Sequence, residues 1–328
     1  MMDRRTFMAG GLGLGLALAN SSGAKGGVQL HSVSGAELAF GTTISIEVVH
    51  DDRLEAELAI AEALAAARQV DRLMTLHRAD SELATLNRTG VLERPHPWLL
   101  QVLAYARDLS HRSEGAFDIT VQPLWNAFSA ASLQHRLPSE DERRAAMALV
   151  DWRQVLVTPQ QVSLARPGMA ITLNGIAQGF AVDRARAVLD EHGIRHALLD
   201  TGEFGARGRK AARQAWTIGI RDPRDAQQLA SVLPMQQRCV ATSGDYQTGF
   251  TPDFVHHHIF DPASGDSPVE LASVTVLAPT GLQADGLSTT LMVLGVQRAL
   301  SLVATLTEVD VLLIDKLGRV WRSGNWPV

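Results

Sequence analysis

The sequence predicts an α+β fold, in which helices pack against mixed, largely antiparallel sheets within one two-lobed unit. The first half of the chain carries a long apolar repeat with the 3.6-residue period of a helix. From Val155 onward the pattern changes to short β-prone runs that alternate irregularly with helical segments. The 328-residue chain is also close to the size at which single hydrophobic cores divide, which favours two lobes.

The N-terminus has the pattern of an export signal. Two arginines, Arg4 and Arg5, precede a weakly apolar, glycine-rich run from Met8 to Ala19 that ends in Ala-Leu-Ala, a typical cleavage site. This run is too short to span a bilayer, which needs about 20 residues. We therefore expect residues 1–19 to be a twin-arginine (Tat) signal that directs the protein to the periplasm through the Tat translocon. Residues 20–328 would form the functional domain, and the alternatives are an uncleaved anchor or a chance basic start.

Composition and missing motifs exclude several classes of protein. The sole cysteine, Cys239, excludes an intramolecular disulfide, which suits a protein exported in its folded state. The formal charge of −5 gives no sign of nucleic-acid binding. The chain has neither a G-x-G-x-x-G sequence nor a Gly-Lys dipeptide, which excludes both a dinucleotide-binding Rossmann fingerprint and a Walker A loop.

The first helices follow from apolar spacing and from their boundary residues. A helix is predicted from Asp52 to Leu76, and a second should follow Pro97 and end near Gly115. The segment from Ala127 to Arg144 is polar and lacks periodicity, so we expect a surface connection there. The residues predicted to form the core-facing stripe of the first helix are Leu54, Leu58, Ala61, Leu64 and Ala65.

The second half should contain seven short strands and three helices. The strands are predicted from runs of β-branched and apolar residues, and the helices from the return of the longer period. The expected strands cover 155–157, 162–164, 171–173, 197–200, 216–220, 274–277 and 311–314, and the helices cover 179–192, 281–294 and 296–306.

The segment ITLNGIAQGFAVD, from Ile171 to Asp183, has the shape of an anion-binding turn. Two β-prone residues lead into a turn of small residues that opens into a predicted helix. Gly175, Ala177 and Gly179 leave the backbone unshielded, so amide N–H groups and the positive end of the helix can approach a phosphate. A tight strand-to-helix connection without a ligand is the alternative interpretation.

A second segment, ADGLSTTLMVLG, carries candidate metal ligands. Asp285 and Thr289 stand four residues apart on a predicted helix, so a carboxylate and a hydroxyl share one face. Both are hard oxygen ligands of the kind that Mg²⁺ prefers. A carboxylate placed at a helix start for capping is the alternative, but phosphate and metal sites together suggest nucleotide chemistry.

Eight motifs, in order along nearly the whole chain, resemble the FAD:protein FMN transferases, the ApbE flavin transferases. The motif GAFDITVQPLW is similar to the most recognisable flavin-contacting motif of that family. The complete series is FGTTISIEV, RLMTLHRADSELATLN, GAFDITVQPLW, LNGIAQGFAVDRA, WTIGIRDP, VATSGDY, HIFDPASG and ADGLSTTLMVLG, which together reach from Phe40 to Gly295. The resemblance implies an ApbE-like fold.

The resemblance also implies site residues. Mg²⁺ would be held by the backbone carbonyl of Ala177, the Asp285 carboxylate and the Thr289 hydroxyl, with room left for water and pyrophosphate oxygens. Phe117 and Asp118 would contact flavin, although an ordinary core phenylalanine and a turn carboxylate are the alternatives. The full set of residues that fall where the family contacts FAD is Phe40, His77, Ala116, Phe117, Asp118, Asn174 and Phe260.

Three consecutive histidines need separate interpretations. His258 matches the histidine-containing motif of the family, and its near-neutral intrinsic pKa suits proton transfer, so it is the preferred catalytic base. Asp285 is the alternative base. On a strand, His256 and His258 would share one face and His257 would take the other, which leaves too few ligands for zinc. We therefore interpret His256 and His257 as surface strand residues.

The chain departs from the family pattern at three positions. Gln178 replaces a frequent lysine, Phe40 a frequent methionine, and His77 a frequent tyrosine or tryptophan. Loss of a cation beside the pyrophosphate would leave more of its charge to Mg²⁺. Arg184 is a candidate to compensate, and a solvated arginine is the alternative.

The implied activity is cleavage of FAD and attachment of FMN to a Thr or Ser of a partner protein, with release of AMP. The partner would be a membrane redox protein that carries a motif of the type Ser/Thr-Gly-Ala-Thr. In this chain Ser22-Gly23-Ala24 is followed by Lys25, so self-flavinylation is not expected. The alternatives are an FAD hydrolase that yields FMN and AMP, and a non-catalytic FAD-binding assembly protein.

Overall fold

A computed structural model describes residues 30–327 of the chain. The predicted export signal, including Arg4 and Arg5, lies outside the described residues. The helices are α1 Arg53–Met74, α2 Glu82–Thr89, α3 Pro97–Arg112, α4 Gln122–Ser132, α5 Glu140–Met147, α6 Ala177–Glu191 and α7 Gly281–Val303.

Thirteen strands form three sheets within the described residues. They are β1 His31–Ala39, β2 Thr42–His50, β3 Val91–Glu93, β4 Val155–Val157, β5 Gln161–Leu164, β6 Ala197–Asp200, β7 Phe204–Arg207, β8 Trp216–Arg221, β9 Leu229–Met235, β10 Cys239–Gly244, β11 Leu271–Ala278, β12 Asp310–Asp315 and β13 Val320–Arg322. The large sheet has the order β1-β2-β6-β7-β10-β11-β12-β13, and the smaller ones are β3-β5-β4 and β8-β9. All pairings between these strands are antiparallel, which confirms the predicted α+β class with largely antiparallel sheets.

The large sheet is covered on both faces. In β12, Val311 and Leu313 belong to the main core, which also contains apolar residues of α1, α6 and α7. Leu312 and Ile314 point to the other face, into a second core shared with the β8-β9 hairpin. Alternate side chains of a strand face opposite sides. A strand that is buried on both faces therefore has a continuous apolar sequence, as β12 has from Val311 to Ile314.

Helix α1 begins where the sequence predicts but buries a different stripe. Asp52 caps it by accepting hydrogen bonds from the backbone N–H groups of Leu54 and Glu55. Leu54 is 77% exposed, Leu58 is 50% exposed and Ala61 is also exposed, so the predicted stripe is wrong at these three positions. The helix instead packs through small residues, which lets its backbone approach the sheet and α6. Its buried face consists of Ala56, Ala59, Ile60, Ala63, Leu64, Ala67, Val70 and Met74.

Helix α7 is interrupted at Gly295, which matches the boundary between the last two predicted helices. Gly295 has φ 72° and ψ 175°, a conformation that glycine adopts without a steric penalty. The Glu270 carboxylate accepts a hydrogen bond from the N–H of Val296 at 3.1 Å and so caps the second part. In length and hydropathy α7 is similar to a membrane-spanning helix. However, 61% of its most apolar 18-residue stretch is buried in the protein, as in a core helix.

The expected surface connection from Ala127 to Arg144 is instead largely helical. Helix α4 continues to Ser132, and α5 starts after Ser139 with a reciprocal capping box. The Ser139 hydroxyl accepts from the N–H of Glu142, whose carboxylate accepts from the N–H of Ser139. These helices form a small third core with Phe260, centred on Phe128. The prediction failed because α5 consists largely of charged residues and buries only Ala146.

Candidate functional site

One cavity gathers most of the residues singled out from the sequence. It encloses about 880 Å³ of empty space, including the part open to solvent. Eight predicted site residues line it, namely Ala116, Phe117, Asp118, Asn174, His258, Phe260, Asp285 and Thr289. The remaining lining residues are Ile119, Val121, Trp125, Thr172, Gly175, Gln178, Glu203, Thr242, Ser243, Gln247 and Ile259.

The chain enters this cavity through the segment before α6, which is extended but not part of a sheet. The predicted strand 171–173 is therefore wrong. Its backbone groups are satisfied in another way. The side-chain amide of Asn87 donates to the carbonyl of Ile171 and accepts from its N–H, both at 2.8 Å, and the N–H of Thr172 donates to Ile119. An asparagine side chain thus takes the place of a neighbouring strand.

Helices α6 and α7 cross in contact at two glycines beside the cavity. A Cβ on Gly179 would lie 2.1 Å from the carbonyl oxygen of Gly281, and the reverse distance is 2.2 Å. The crossing therefore requires glycine on both helices. Each helix also receives a carboxylate from the other. Asp285 accepts from the N–H of Gly179 at 2.8 Å, and Asp183 accepts from the N–H groups of Gly281 and Leu282.

Thr289 faces the turn before α6, one helical turn beyond Asp285. A Cβ on Gly175 would stand 2.7 Å from the Thr289 hydroxyl oxygen, so glycine permits this close approach. The Ser243 hydroxyl lies 3.3 Å from the same oxygen and 2.8 Å from the hydroxyl of Ser288. The structure therefore places Asp285 and Thr289 on one cavity-facing side of α7, as their spacing predicts.

The α6/α7 end of the cavity is acidic and lacks a compensating cation. Burial raises the pKa of Asp285 to about 7, against the hydrogen bond from Gly179. Burial also raises the pKa of Glu203 well above its usual range, and the nearby Asp285 carboxylate raises it further. No described residue in the cavity lining is a lysine or an arginine. An anionic ligand would need a cation here in addition to the N-terminal end of α6.

The oxygen atoms at this end fit Mg²⁺ better than a transition metal. The described residues contain no group of three or more His, Cys, Asp or Glu side chains able to hold a metal ion. Asp285 uses one carboxylate oxygen for Gly179, and its Oδ1 has no hydrogen-bond partner among the described residues. Ala177 is the first, buried residue of α6, between the cavity-lining Gly175 and Gln178. A carboxylate, a hydroxyl and a backbone oxygen are a magnesium-type donor set.

His258 also lines the cavity, on the segment that follows β10. Its N–H donates to the carbonyl of Thr248 at 3.0 Å, and its Nδ1 lies 3.3 Å from the same oxygen. A carbonyl oxygen only accepts, so this contact requires the proton on Nδ1 and leaves the Nε2 lone pair of the neutral ring free. Burial lowers the pKa of His258 to about 4. The ring is therefore neutral at physiological pH and can accept a proton.

The other two histidines correct the prediction of a surface strand. All three lie outside the named strands, with only an isolated bridge between Gly249 and His257. His257 is completely buried, and burial lowers its pKa to about 3. His256 contacts the Asp266 carboxylate through Nδ1 at 2.7 Å and packs on Phe128. Neither residue lines the cavity, so only His258 is placed to act there.

Aromatic residues and tightly bonded polar residues form the remaining wall. Phe117 and Phe260 are buried to 5% and 4% exposure, so each is both a core residue and a cavity surface. Asp118 accepts from the N–H and hydroxyl of Thr120 and from the N–H of Trp152. The alternative of a turn carboxylate thus describes Asp118 well, although it also lines the cavity. Asn174 is exposed at the rim.

Phe40 and His77 are not among the residues that line the cavity. Phe40 occupies the two-residue β1-β2 turn with φ 52°, a strained conformation for a bulky side chain, and packs partly against the main core. His77 is exposed after α1. Their assignment to FAD remains a prediction. Arg184 lies over the Trp98 ring at 4.8 Å and is absent from the lining, which gives no support to its compensating role.

Reasoning from sequence missed Glu203 as a cavity residue, and it named Gln178 only as the position of a lost lysine. Glu203 follows the short turn after β6, and its carboxylate accepts from the N–H of Thr242 at 3.1 Å. Gln178 donates to the carbonyl of Thr201, whose hydroxyl donates back to the backbone of Gln178. The dipeptide Gly202-Glu203 was the available signal, since Gly202 has φ 97° and a Cβ there would collide with Gln178.

Comparison with known proteins gives one consistent result. The family model described as "ApbE family" matches residues 40–313. A curated protein of Treponema pallidum named FAD:protein FMN transferase is 32% identical over 330 residues, covering 92% of this chain and 89% of that protein.

Solved structures agree with the sequence matches. The flavin transferase ApbE from Vibrio cholerae aligns with a TM-score of 0.78 at 26% identity, covering 91% of this chain and 99% of the other. The apo flavinyl transferase ApbE of Pseudomonas stutzeri aligns with a TM-score of 0.76 at 30% identity, covering 90% and 94%.

Proposed function

The chain belongs to the ApbE family, and from that membership we propose that it is an FAD:protein FMN transferase. The observation that carries the proposal is the arrangement of the cavity. An uncompensated carboxylate and a hydroxyl on α7 meet the N-terminal end of α6, and a neutral histidine lines the same cavity. These groups suit transfer of a phosphoryl group to a hydroxyl.

In this proposal the pyrophosphate of FAD lies at the N-terminal end of α6. Gly175 keeps this end free of side-chain bulk, and helix N-termini bind anions through free N–H groups and the helix dipole. The aromatic rings of Phe117, Trp125 and Phe260 supply apolar wall for the flavin or adenine ring. Asn174 at the rim can exchange hydrogen bonds with the ligand.

We propose that Asp285, Thr289 and the backbone carbonyl of Ala177 hold Mg²⁺. When bound, the ion neutralises pyrophosphate charge and stabilises the charge that develops in phosphoryl transfer. Asp285 keeps its position through the hydrogen bond from Gly179, and Thr289 is fixed against the turn at Gly175. The absence of a lysine at Gln178 makes this neutralisation more important in the present chain.

The reaction proposed is displacement at the phosphorus atom of the FMN half of FAD. The hydroxyl oxygen of an acceptor Thr or Ser forms a new P–O bond, and the P–O bond to the AMP half breaks. The acceptor proton passes to Nε2 of His258, which the Nδ1 contact with Thr248 leaves unprotonated. AMP leaves as the second product, and FMN remains on the acceptor as a phosphoester.

The test uses purified protein, FAD and Mg²⁺, with and without an acceptor peptide that carries Ser/Thr-Gly-Ala-Thr. We expect flavin to become covalently attached to the peptide, with one AMP for each flavin transferred. A peptide with the final Thr replaced by Val is the matched control and should stay unmodified. Release of AMP and FMN without peptide labelling would favour the FAD hydrolase, and FAD binding without AMP would favour the assembly protein.

We also propose export of the protein to the periplasm, where the acceptor would be a membrane redox protein. The proposal depends on Arg4 and Arg5 ahead of the Gly-rich run, which ordinary secretion signals would not need. Replacing both arginines by lysine should retain precursor in the cytoplasm, measured by cell fractionation and immunoblotting. Periplasmic protein in a strain that lacks the Tat translocon would contradict this assignment.

A further inference from the structure

The segment that carries His258 has little apolar support of its own. Between β10 and His258 two stretches of the chain are exposed, at Gln247, Thr248 and Gly249 and again at Pro252 and Asp253. Segments with few buried apolar contacts open more easily than packed elements. A base needs a fixed position, since a small misplacement of a catalytic group reduces the rate strongly. Phe250 and His256 pack on the third core, so the part of the segment around Phe254 must be held by other contacts.

A buried ionic cluster lies next to the segment. Asp245, the first residue after β10, is fully buried and accepts two hydrogen bonds from the Arg224 guanidinium, at 2.7 and 2.8 Å. The ammonium of Lys316 lies 3.7 Å from the same carboxylate. Arg224 follows β8 and Lys316 follows β12, so the cluster joins three parts of the chain. A bidentate arginine contact fixes geometry as well as charge.

Both cations of this cluster also contact Phe254. The Arg224 guanidinium lies over the Phe254 ring at 4.7 Å, and the Lys316 ammonium donates to the Phe254 carbonyl at 2.6 Å. Phe254 has φ 60°, a strained backbone conformation for a bulky residue. Such a conformation persists only where the surroundings impose it. The cluster supplies that constraint at the middle of the segment.

Backbone hydrogen bonds connect Phe254 to His258. The N–H of Phe254 donates to Thr251, and the N–H of Phe250 donates to the carbonyl of His256 at 2.7 Å. The same folded-back segment brings Thr248 under His258, where its carbonyl contacts both the N–H and Nδ1 of the histidine. A shift at Phe254 would therefore move the group that fixes the tautomer of His258.

We propose that Asp245, Arg224 and Lys316 are positioning residues that fix His258 by holding Phe254, and that they act on proton transfer and not on FAD binding. None of the three lines the cavity. The inference rests on the proposed function, because it takes His258 as the base that receives the acceptor proton.

The experiment measures single-turnover FMN transfer to the acceptor peptide and FAD affinity in Lys316→Met. This change keeps the side-chain stem and removes the ammonium that holds the Phe254 carbonyl. We expect transfer to slow about 10-fold or more, with FAD affinity within about twofold. Arg319→Met is the matched control, since Arg319 lies on the same β12-β13 turn, has an exposed side chain, and pairs with Asp315 and not with Asp245 or Phe254. It should transfer at the normal rate.

A double-mutant cycle with His258→Asn separates positioning from general damage. If Lys316 acts through His258, Lys316→Met should cause little further loss once His258 is asparagine. An equal loss in both backgrounds, or a normal rate in Lys316→Met, would overturn the proposal. If Lys316→Met fails to fold, as judged by circular dichroism, Arg224→Lys in the same cycle decides. Normal transfer by His258→Asn alone would instead refute the base role in the proposed function.

Discussion

The two ends of the cavity are built in different ways. The Asp285 end lies between two helices that cross at Gly179 and Gly281 and exchange capping carboxylates, so its geometry follows from packed secondary structure. The His258 end lies on a segment without regular secondary structure, whose residue Phe254 contacts both cations of a buried ionic cluster. The helical spacing of Asp285 and Thr289 makes the first end predictable from a short motif. The second end depends on contacts between residues that are far apart in sequence.

The largest expected effect comes from Asp285, because it is the one acidic ligand in the proposed metal set. Asp285→Ala should abolish Mg²⁺-dependent transfer while the protein stays folded, since a hard ligand at the reacting phosphate is removed. Asp285→Asn keeps an oxygen for the Gly179 N–H and is the control for helix capping. Transfer and Mg²⁺ binding by calorimetry are the measurements. Unchanged turnover of Asp285→Ala at limiting Mg²⁺ would remove Asp285 from the metal site.

His258→Asn should reduce the single-turnover transfer rate by about 10² to 10⁴ with little change in FAD affinity. His256→Asn serves as a control, because His256 contacts Asp266 away from the cavity. His257→Asn should lower the melting temperature instead, since His257 is completely buried. Equal catalytic defects in all three variants would show a structural histidine cluster and contradict the base role.

Gly179→Ala tests whether the helix crossing sets the geometry of the Asp285 end. The added Cβ would meet the backbone carbonyl of Gly281, so the helices must separate. We expect the free energy of unfolding to fall by about 1–3 kcal/mol and Mg²⁺ affinity to fall with it. Gly324→Ala is the matched control, because nothing lies within 4 Å of a Cβ at that position. Denaturant titration that finds equal stability in both variants would rule out a close-packed crossing.

The smallest effect is a shift in pH dependence at the His258 end. Burial places the pKa of His258 at about 4, so the neutral base should persist well below the range of an ordinary histidine near 6.5. The acid limb of single-turnover transfer at saturating Mg²⁺ should therefore have its midpoint near pH 4. Between about pH 4 and pH 6.5 this histidine binds more protons in the unfolded chain than in the folded protein. The free energy of unfolding therefore also decreases as the pH is lowered through this range. A midpoint near 6.5 would mean that the ring is solvated.

Local signals in the sequence predicted helix boundaries and the Asp285 end well. Helix α1 begins directly after Asp52, where the predicted helix begins, and the break between the last two helices falls at Gly295. These features depend on residues within one or two turns of each other. The spacing of Asp285 and Thr289 is likewise a property of a single helix, and the structure places both on the cavity.

The remaining features depend on contacts that no local pattern encodes. Leu54 and Leu58 have helical spacing but face solvent, because the alanines of α1 allow a closer approach to the sheet and α6. The segment at Ile171 looks like a strand but is paired with the side chain of Asn87. Glu203 reaches the cavity only because the β6-β7 turn lies beside β10. In each case tertiary packing decides the outcome.

Helix α7 has a consequence for how the chain can cross a membrane. If the chain were threaded through a translocation channel in an unfolded state, α7 would present 23 residues with the length and hydropathy of a stop-transfer sequence. In the folded protein the same residues lie against β10 and β11 and carry the cavity-facing Asp285 and Thr289. Folding before transport buries this segment, so that it cannot insert into the bilayer as a membrane-spanning helix. If the protein is exported as proposed, transport in the folded state would keep this helix, which carries the proposed metal ligands, buried in the protein.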